Sequence, residues 1–298
     1  QVHSASQKAL ETLGLGRRAL RVIPSDTNFR MSIPALEQAI TEDRAAGRLP
    51  ACVIATAGTT NTGAIDDMHA IAALCQREGM WFHVDGCIGA LIKLAPNNRT
   101  MVDGIELADS LALDPHKWLH TPFEAGCALV KDAKLHFETF ELHGEYLEEK
   151  PRGVAAGGFL ADYGFELSRG FKALKIWMSL KEQGAVKFGR LIDQNIAQGA
   201  YLTGLIKENS LLELTAPTKI NIVCFRYLGT CTSDEELKSP NTEIMLRLQE
   251  SGIAVPSDTT VDGRHCLRVA INNHRTKHHD LDLLVQEVTK LGQELERT

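Results

Sequence analysis

The run "LADSLALDPHKWLH" ends an apolar stretch with an acid, a proline, an imidazole and an amine in a row, Asp114 to Lys117. A lysine delivered to the end of a buried strand has its ammonium partly desolvated, which favours the free amine that condenses with carbonyls. A solitary lysine more often packs its stem and lets its head reach water, so Lys117 needs a partner to mean more. Asp85 in "MWFHVDG", 32 residues earlier, supplies one. A carboxylate after four largely apolar strand residues demands a cation or hydrogen-bond donors. Taken alone, it could equally cap a helix or meet an arginine.

Together the two residues match what pyridoxal 5′-phosphate requires: an amine for its aldehyde carbon, and an anion that keeps the pyridine nitrogen protonated so that the ring acts as an electron sink. The elements around them fit that use. "ACVIATAGTT" reads as a buried parallel strand, and "DDMHAIAALCQREG" as a capped amphipathic helix with Met68, Ile71, Ala72 and Cys75 on one face. "MWFHVDG" reads as the next strand, "MVDGIELA" as helical, and "DSLALDPHK" and "GCALVKD" as two more strands. An α/β layer structure with a mainly parallel sheet follows. In such sheets ligands collect beyond the carboxyl ends of the strands, where Thr59 and Thr60, Asp85, and His116 with Lys117 come from three separate strands.

"HVDGCIGA" followed by "DSLALDPHKW" resembles the group II pyridoxal-phosphate-dependent decarboxylases, which include the aromatic-amino-acid, glutamate and histidine decarboxylases. The resemblance runs from His3 to the C-terminal helix and is tightest between Ile54 and Val130. It implies the α/β pyridoxal-phosphate-dependent transferase architecture called fold type I: a cofactor-binding large domain over 1–175, a smaller C-terminal α+β domain over 176–298, and a homodimer with active sites at the subunit interface. It implies Lys117 as the Schiff-base lysine, Asp85 as partner of the pyridine nitrogen, and His3 of "VHSAS" as the histidine stacked on the ring. Thr60 of "GTTNTG" is implied near the cofactor, and His116 near phosphate and substrate. Tyr146 matches the mobile-loop tyrosine that returns a proton to the substrate carbon. Arg169 and Arg268 sit in stretches that also resemble the family, and each has an ordinary reading as a structural ion pair.

The departures carry information too. Cys87 stands where a small residue packs against the ring face opposite the histidine, Ile88 where an aromatic is common, and Asp114 where many animal members have asparagine, which puts an acid near the phosphate. The family's glycine- and serine-rich phosphate cup and its substrate-pocket aromatics would precede Gln1. The chain opens without methionine in a stretch that reads as the interior of a domain, so a fragment is expected. The expected activity is decarboxylation of an L-amino acid to its amine, with a lean toward aromatic side chains and glutamate left open. The alternatives are another fold-type I reaction, such as an aminotransferase or an aldehyde-forming deaminase, and a non-catalytic remnant unable to hold the cofactor.

Bulk properties narrow the classes. The 298 residues, 44% of them apolar and 23% charged, suit a soluble globular chain. A net charge of −6 without a basic block argues against nucleic acid as a partner. No apolar run is long enough to suggest a membrane span, and the start has no signal-peptide plan. Seven cysteines without CxxC spacing point to reduced thiols, no metal site and a cytoplasmic setting. The stretch from Lys134 to Tyr163 reads as an irregular functional loop, the run after Glu166 as long helix broken near Gly184, and "GTCTSDEELKSPN" as linker-like.

Overall fold

The computed structural model describes residues 1–141, 150–153, 156–229 and 233–297. Helices α1 (Ser4–Thr12) and α2 (Ile33–Ala45) lead into β1 (Cys52–Thr56), α3 (Met68–Glu78), β2 (Trp81–Asp85) and β3 (Ser110–Leu113). A helical turn, α4 (Pro115–Trp118), separates β3 from β4 (Cys127–Val130). The sheet is ordered β1-β2-β3-β4, with the first three strands parallel and β4 antiparallel. Then follow α5 (Ala133–Phe140), α6 (Lys172–Gln183), α7 (Ala185–Glu208), β5 (Leu212–Leu214), β6 (Ile222–Tyr227), α8 (Asp234–Glu250), β7 (Ser257–Val261), β8 (Arg264–Ala270) and α9 (His278–Leu295). Their strands form a second, antiparallel sheet ordered β5-β6-β8-β7.

Alternation along the strands decides what faces the core. Val53, Ala55, Phe82 and Val84 are buried in one cluster with Ile71 and Leu74 of α3. The opposite face, with Ile54, His83, Asp85 and Ser110, is only half-buried. α3 starts where the Asp67 carboxylate accepts the Ala70 amide and stops at Gly79, whose φ of 64° suits the left-handed turn that ends a helix. α7 serves both cores: Phe188, Ile192 and Ile196 lie in the first cluster, Leu202 and Ile206 in a second with α8 and α9. It packs backbone to backbone, since a Cβ on Gly189 would sit 2.0 Å from the Leu94 carbonyl oxygen and one on Gly199 would sit 2.4 Å from that of Ile220.

Four sequence expectations change. The strand expected through Lys117 ends at Leu113, because Pro115, with its fixed φ and no amide to lose, opens a helical turn instead. "MVDGIELA" is not one helix but two 3₁₀ turns, Arg99–Val102 and Ile105–Leu107, interrupted at Gly104 with φ 94°. The irregular stretch expected from Lys134 begins later, after α5, which Asp132 caps by accepting the Leu135 amide. The linker-like run contributes the first turns of α8, where Ser233 and Glu236 form a reciprocal capping box. Pro240 is tolerated inside that helix beside Asn241, whose side chain donates to the Leu237 carbonyl at 2.8 Å. The break at Gly184 between α6 and α7 is as expected.

Candidate active site

Asp85 ends β2 with its neighbours in register, Thr56 of β1 on one side and Ala112 of β3 on the other. The chain then turns back over the strand ends: the Gly89 amide donates to the Ala57 carbonyl at 3.0 Å, a contact so close that a Cβ at Gly89 would stand 2.3 Å from that oxygen. This turn places Cys87 against Asp85, whose Oδ1 accepts the Cys87 amide at 3.2 Å. Burial first, and then the hydrogen bond to Asp85, push the Cys87 thiol up to about 12, with Asp114 adding to the rise and Lys117 opposing it. One thiol thus feels all three charged groups of the site.

Lys117 lies on α4, one turn beyond the end of β3. Its Nζ donates to Asp114 Oδ2 at 2.9 Å, with the lysine side chain one-third exposed. The sequence reading set this amine opposite Asp85 and Asp114 near a phosphate. The structure instead makes Asp114 the direct partner of Lys117, because three residues along a helical turn bring the two side chains to one side. His116 accepts the Ala125 amide at Nδ1, 3.1 Å, so in the neutral ring the proton is on Nε2, 3.8 Å from Asp114 Oδ2. Its ring packs on Phe123 with centroids 4.5 Å apart.

The turn itself is held from beneath. Trp118 is fully buried and donates its indole N–H to Asn195 Oδ1 of α7 at 3.1 Å, and Thr121 Oγ1 donates to the Pro115 carbonyl at 2.9 Å. Asn195, itself fully buried, donates onward to Gln198 Oε1 and to the Asn273 carbonyl. Nothing in the local sequence around Lys117 announces Asn195, which is 77 residues away from Trp118.

Thr60 follows β1 and is exposed; its carbonyl, not its hydroxyl, is engaged, by Arg268 Nε at 2.7 Å. Cys224, the residue opposite Arg268 in the β6–β8 register, donates its thiol to the next carbonyl, that of Asn61, at 3.1 Å. The second sheet therefore grips the turn after β1 with two side chains. Arg268 has no carboxylate partner among the described residues, so its ion-pair reading is replaced by this carbonyl contact, and burial lowers its pKa. Arg169 stands 3.9 Å from Glu166 at the surface. His3 is the exposed N-cap of α1, its Nδ1 accepting the Ala5 amide at 3.1 Å. Gln1, two residues before it, accepts the Thr62 hydroxyl at its side-chain Oε1, 3.0 Å, which ties the start of the chain to the turn that carries Thr60. The structure brings Asp85, Cys87, Asp114, His116 and Lys117 together. Tyr146 lies outside the described residues.

A carboxylate at one strand end and an amine on the turn after the next strand, with a small side chain near both, suit a planar ring carrying an aldehyde and a basic nitrogen. Comparison with known proteins agrees with this chemistry. The family model of the pyridoxal-dependent decarboxylase conserved domain matches residues 1–228. An aromatic-L-amino-acid decarboxylase of Bacillus atrophaeus is 34% identical over 296 residues, 99% of this chain and 62% of that protein. A phenylacetaldehyde synthase of Arabidopsis thaliana is 29% identical, covering 99% of this chain and 60% of its own. The crystal structure of Oryza sativa TDC with PLP and tryptamine matches with a TM-score of 0.92 and 29% identity, over 99% of this chain and 61% of that one. The chain thus spans about three-fifths of the length of these relatives.

Proposed function

Since the chain belongs to the pyridoxal-dependent decarboxylase family, we propose that it carries the lysine-bearing part of an active site that converts an L-amino acid to its amine and carbon dioxide with pyridoxal 5′-phosphate. The observation that carries this reading is the convergence of Asp85, at the end of β2, and Lys117, on the turn after the neighbouring β3, on the Cys87 thiol.

The residues present fit the cofactor. Lys117 offers the amine for its aldehyde carbon, and its pairing with Asp114 holds that amine at the sheet edge. Among the described residues the Asp85 carboxylate accepts only from Cys87, leaving carboxylate lone pairs for a ring nitrogen. Cys87 is small enough to lie against a ring face, and the His116 Nε2–H is a donor on the same side as Asp114. When bound, the cofactor supplies a protonated ring that takes up the electron pair left when carbon dioxide departs. The protein's share is to fix the amine, to keep the anion next to the ring nitrogen, and to orient the substrate.

An aromatic substrate is the preferred reading, supported by the names of the relatives. A homodimer is proposed as well: Phe165, Phe171 and Trp177 are 87%, 74% and 59% exposed along and ahead of α6, more apolar surface than a lone subunit usually shows water. A cytoplasmic setting is supported by the six described cysteines, all free. The test is optical and chemical. Added pyridoxal phosphate is expected to give a visible absorption band that borohydride removes while fixing the label on Lys117, and Lys117→Ala is expected to give neither. Carbon dioxide with an amine in an amino acid panel supports decarboxylation, and an aldehyde product supports the deaminating alternative. A wild-type protein that shows no band with excess cofactor would refute the proposal.

A further inference from the structure

His83 stands two residues before Asp85 on β2 and on the same face of the sheet, which puts the two side chains about 7 Å apart at their roots. Directly opposite it in register is Ser110 of β3. The Ser110 hydroxyl is a junction: the Trp81 indole N–H donates to it at 2.8 Å, and His83 Nδ1 lies 2.7 Å from it. Trp81 sits one pleat further back on that same face.

Proton counting settles the direction of the second bond. Indole is a donor only, so Ser110 Oγ accepts from Trp81 and still holds one proton of its own. Among the described residues Oγ has no partner besides Trp81 and His83. If His83 carried a proton on Nδ1, the hydroxyl would have to accept a second bond and leave its own half-buried proton unpaired, which is the costly arrangement. The hydroxyl therefore donates to Nδ1, and His83 is the neutral tautomer with its proton on Nε2. Charging the ring requires a proton on Nδ1, so the relay opposes it. Burial works in the same direction and lowers the His83 pKa, with Asp85 pulling the other way. Among the described residues the other titratable groups close by are the Cys52 thiol on β1, which lies against the His83 backbone, and Asp109 ahead of β3, which accepts the Phe82 amide.

We propose that Ser110, with Trp81, is a positioning residue for Asp85: the relay holds His83 neutral, so that no second cation competes with the cofactor's ring nitrogen for the Asp85 carboxylate. The inference rests on the cofactor reading above for its consequence, not for its cause. A charged His83 would divide the field of Asp85 and repel the ring N–H, so cofactor affinity would fall as the imidazole titrates.

The cause is tested without cofactor by imidazole nitrogen NMR of the 298-residue chain, the His83 signal being assigned with His83→Gln. Wild type is expected to show the Nε2–H tautomer and a midpoint below that of an ordinary histidine. Ser110→Ala is expected to mix the tautomers and raise the midpoint by about one unit, Trp81→Phe to do so less, and Ser110→Thr to restore both. The consequence is tested by absorbance titration with pyridoxal phosphate at pH 6 and pH 8. Ser110→Ala is expected to lose severalfold more affinity at pH 6 than at pH 8, about tenfold being the ceiling that a one-unit rise allows. An unchanged tautomer and midpoint in Ser110→Ala would overturn the relay whether or not cofactor binds. Equal loss at both pH values would overturn its role toward Asp85 and leave Ser110 purely structural. A wild type without any visible band would instead sink the cofactor reading, a result that the NMR arm keeps separate.

Discussion

Asn195→Leu tests whether the lysine-bearing turn is held from α7. Asn195 is 0% exposed and Trp118 is 0% exposed, so neither side of their 3.1 Å hydrogen bond can turn to water. Removing the amide orphans the indole N–H and takes one donor each from Gln198 Oε1 and the Asn273 carbonyl. A buried group left without its partner costs about 1–3 kcal/mol. The Gln198 oxygen and the Asn273 carbonyl can recover in part through neighbours, so the sum expected is about 2–4 kcal/mol. Trp118→Phe, which orphans only Asn195 Oδ1 and loses some packing, is expected to cost about 2 kcal/mol. The double variant removes donor and acceptor together, and replacing both partners by apolar groups is far cheaper than stranding one. It should therefore be less destabilised than the two singles added, with a coupling of about 1–2 kcal/mol. Urea unfolding followed by circular dichroism measures all four corners of the cycle. Borohydride labelling of Lys117 in the same proteins reads whether the amine has moved: weak in Asn195→Leu, recovered in part in the double variant. Additivity within about 0.5 kcal/mol would show that the two side chains do not depend on each other, and the anchoring of α4 by α7 would have to be given up.

Two further outcomes follow from protonation. The Cys87 thiol, raised to about 12 by burial and by Asp85, is expected to react with iodoacetamide far more slowly at pH 8 than an ordinary cysteine. Fast alkylation of Cys87, read by peptide mass spectrometry, would contradict the packing of that thiol on Asp85. His83 and His120 are both depressed by burial, and His274 adds to the effect at His120. The unfolded chain therefore binds more protons than the folded one below the ordinary histidine range, and stability present at pH 7.5 is lost progressively as the pH falls through about 6.5 toward the lower folded values. A urea midpoint at pH 5.5 equal to or above that at pH 7.5 would show that these imidazoles are not held neutral in the fold.

How much of this was legible in the sequence depends on the range of the interaction. The strands and α3 were readable because their causes are local: an apolar run, an acid that caps, a glycine that stops. Asp85 and Lys117 were readable as a pair because each is an ionisable residue closing an apolar stretch. What the sequence misplaced was the element beneath Lys117. The sequence pattern carries the strand through Pro115 to Lys117, whereas Pro115 starts a helical turn, and that turn is what brings Asp114 to the amine. Cys87 was read as a small residue, and only the return of the chain over the strand ends, forced by the close approach of Gly89 to Ala57, makes it the junction of the three charges.

The residues that hold the site were invisible for a different reason. Asn195 and Cys224 act across 77 and 163 residues of sequence, and neither lies in a local pattern that differs from an ordinary helix or strand interior. The same separation makes them informative. Arg268 and Cys224 face one another across β6 and β8 and donate to consecutive carbonyls of the turn after β1. Asn195 reaches the turn after β3 from α7. The strand ends of the first sheet are therefore fixed not by that sheet alone but by α7 and the second sheet. This gives a physical reason for the C-terminal elements to belong to the candidate site although none of them supplies its amine or its acid.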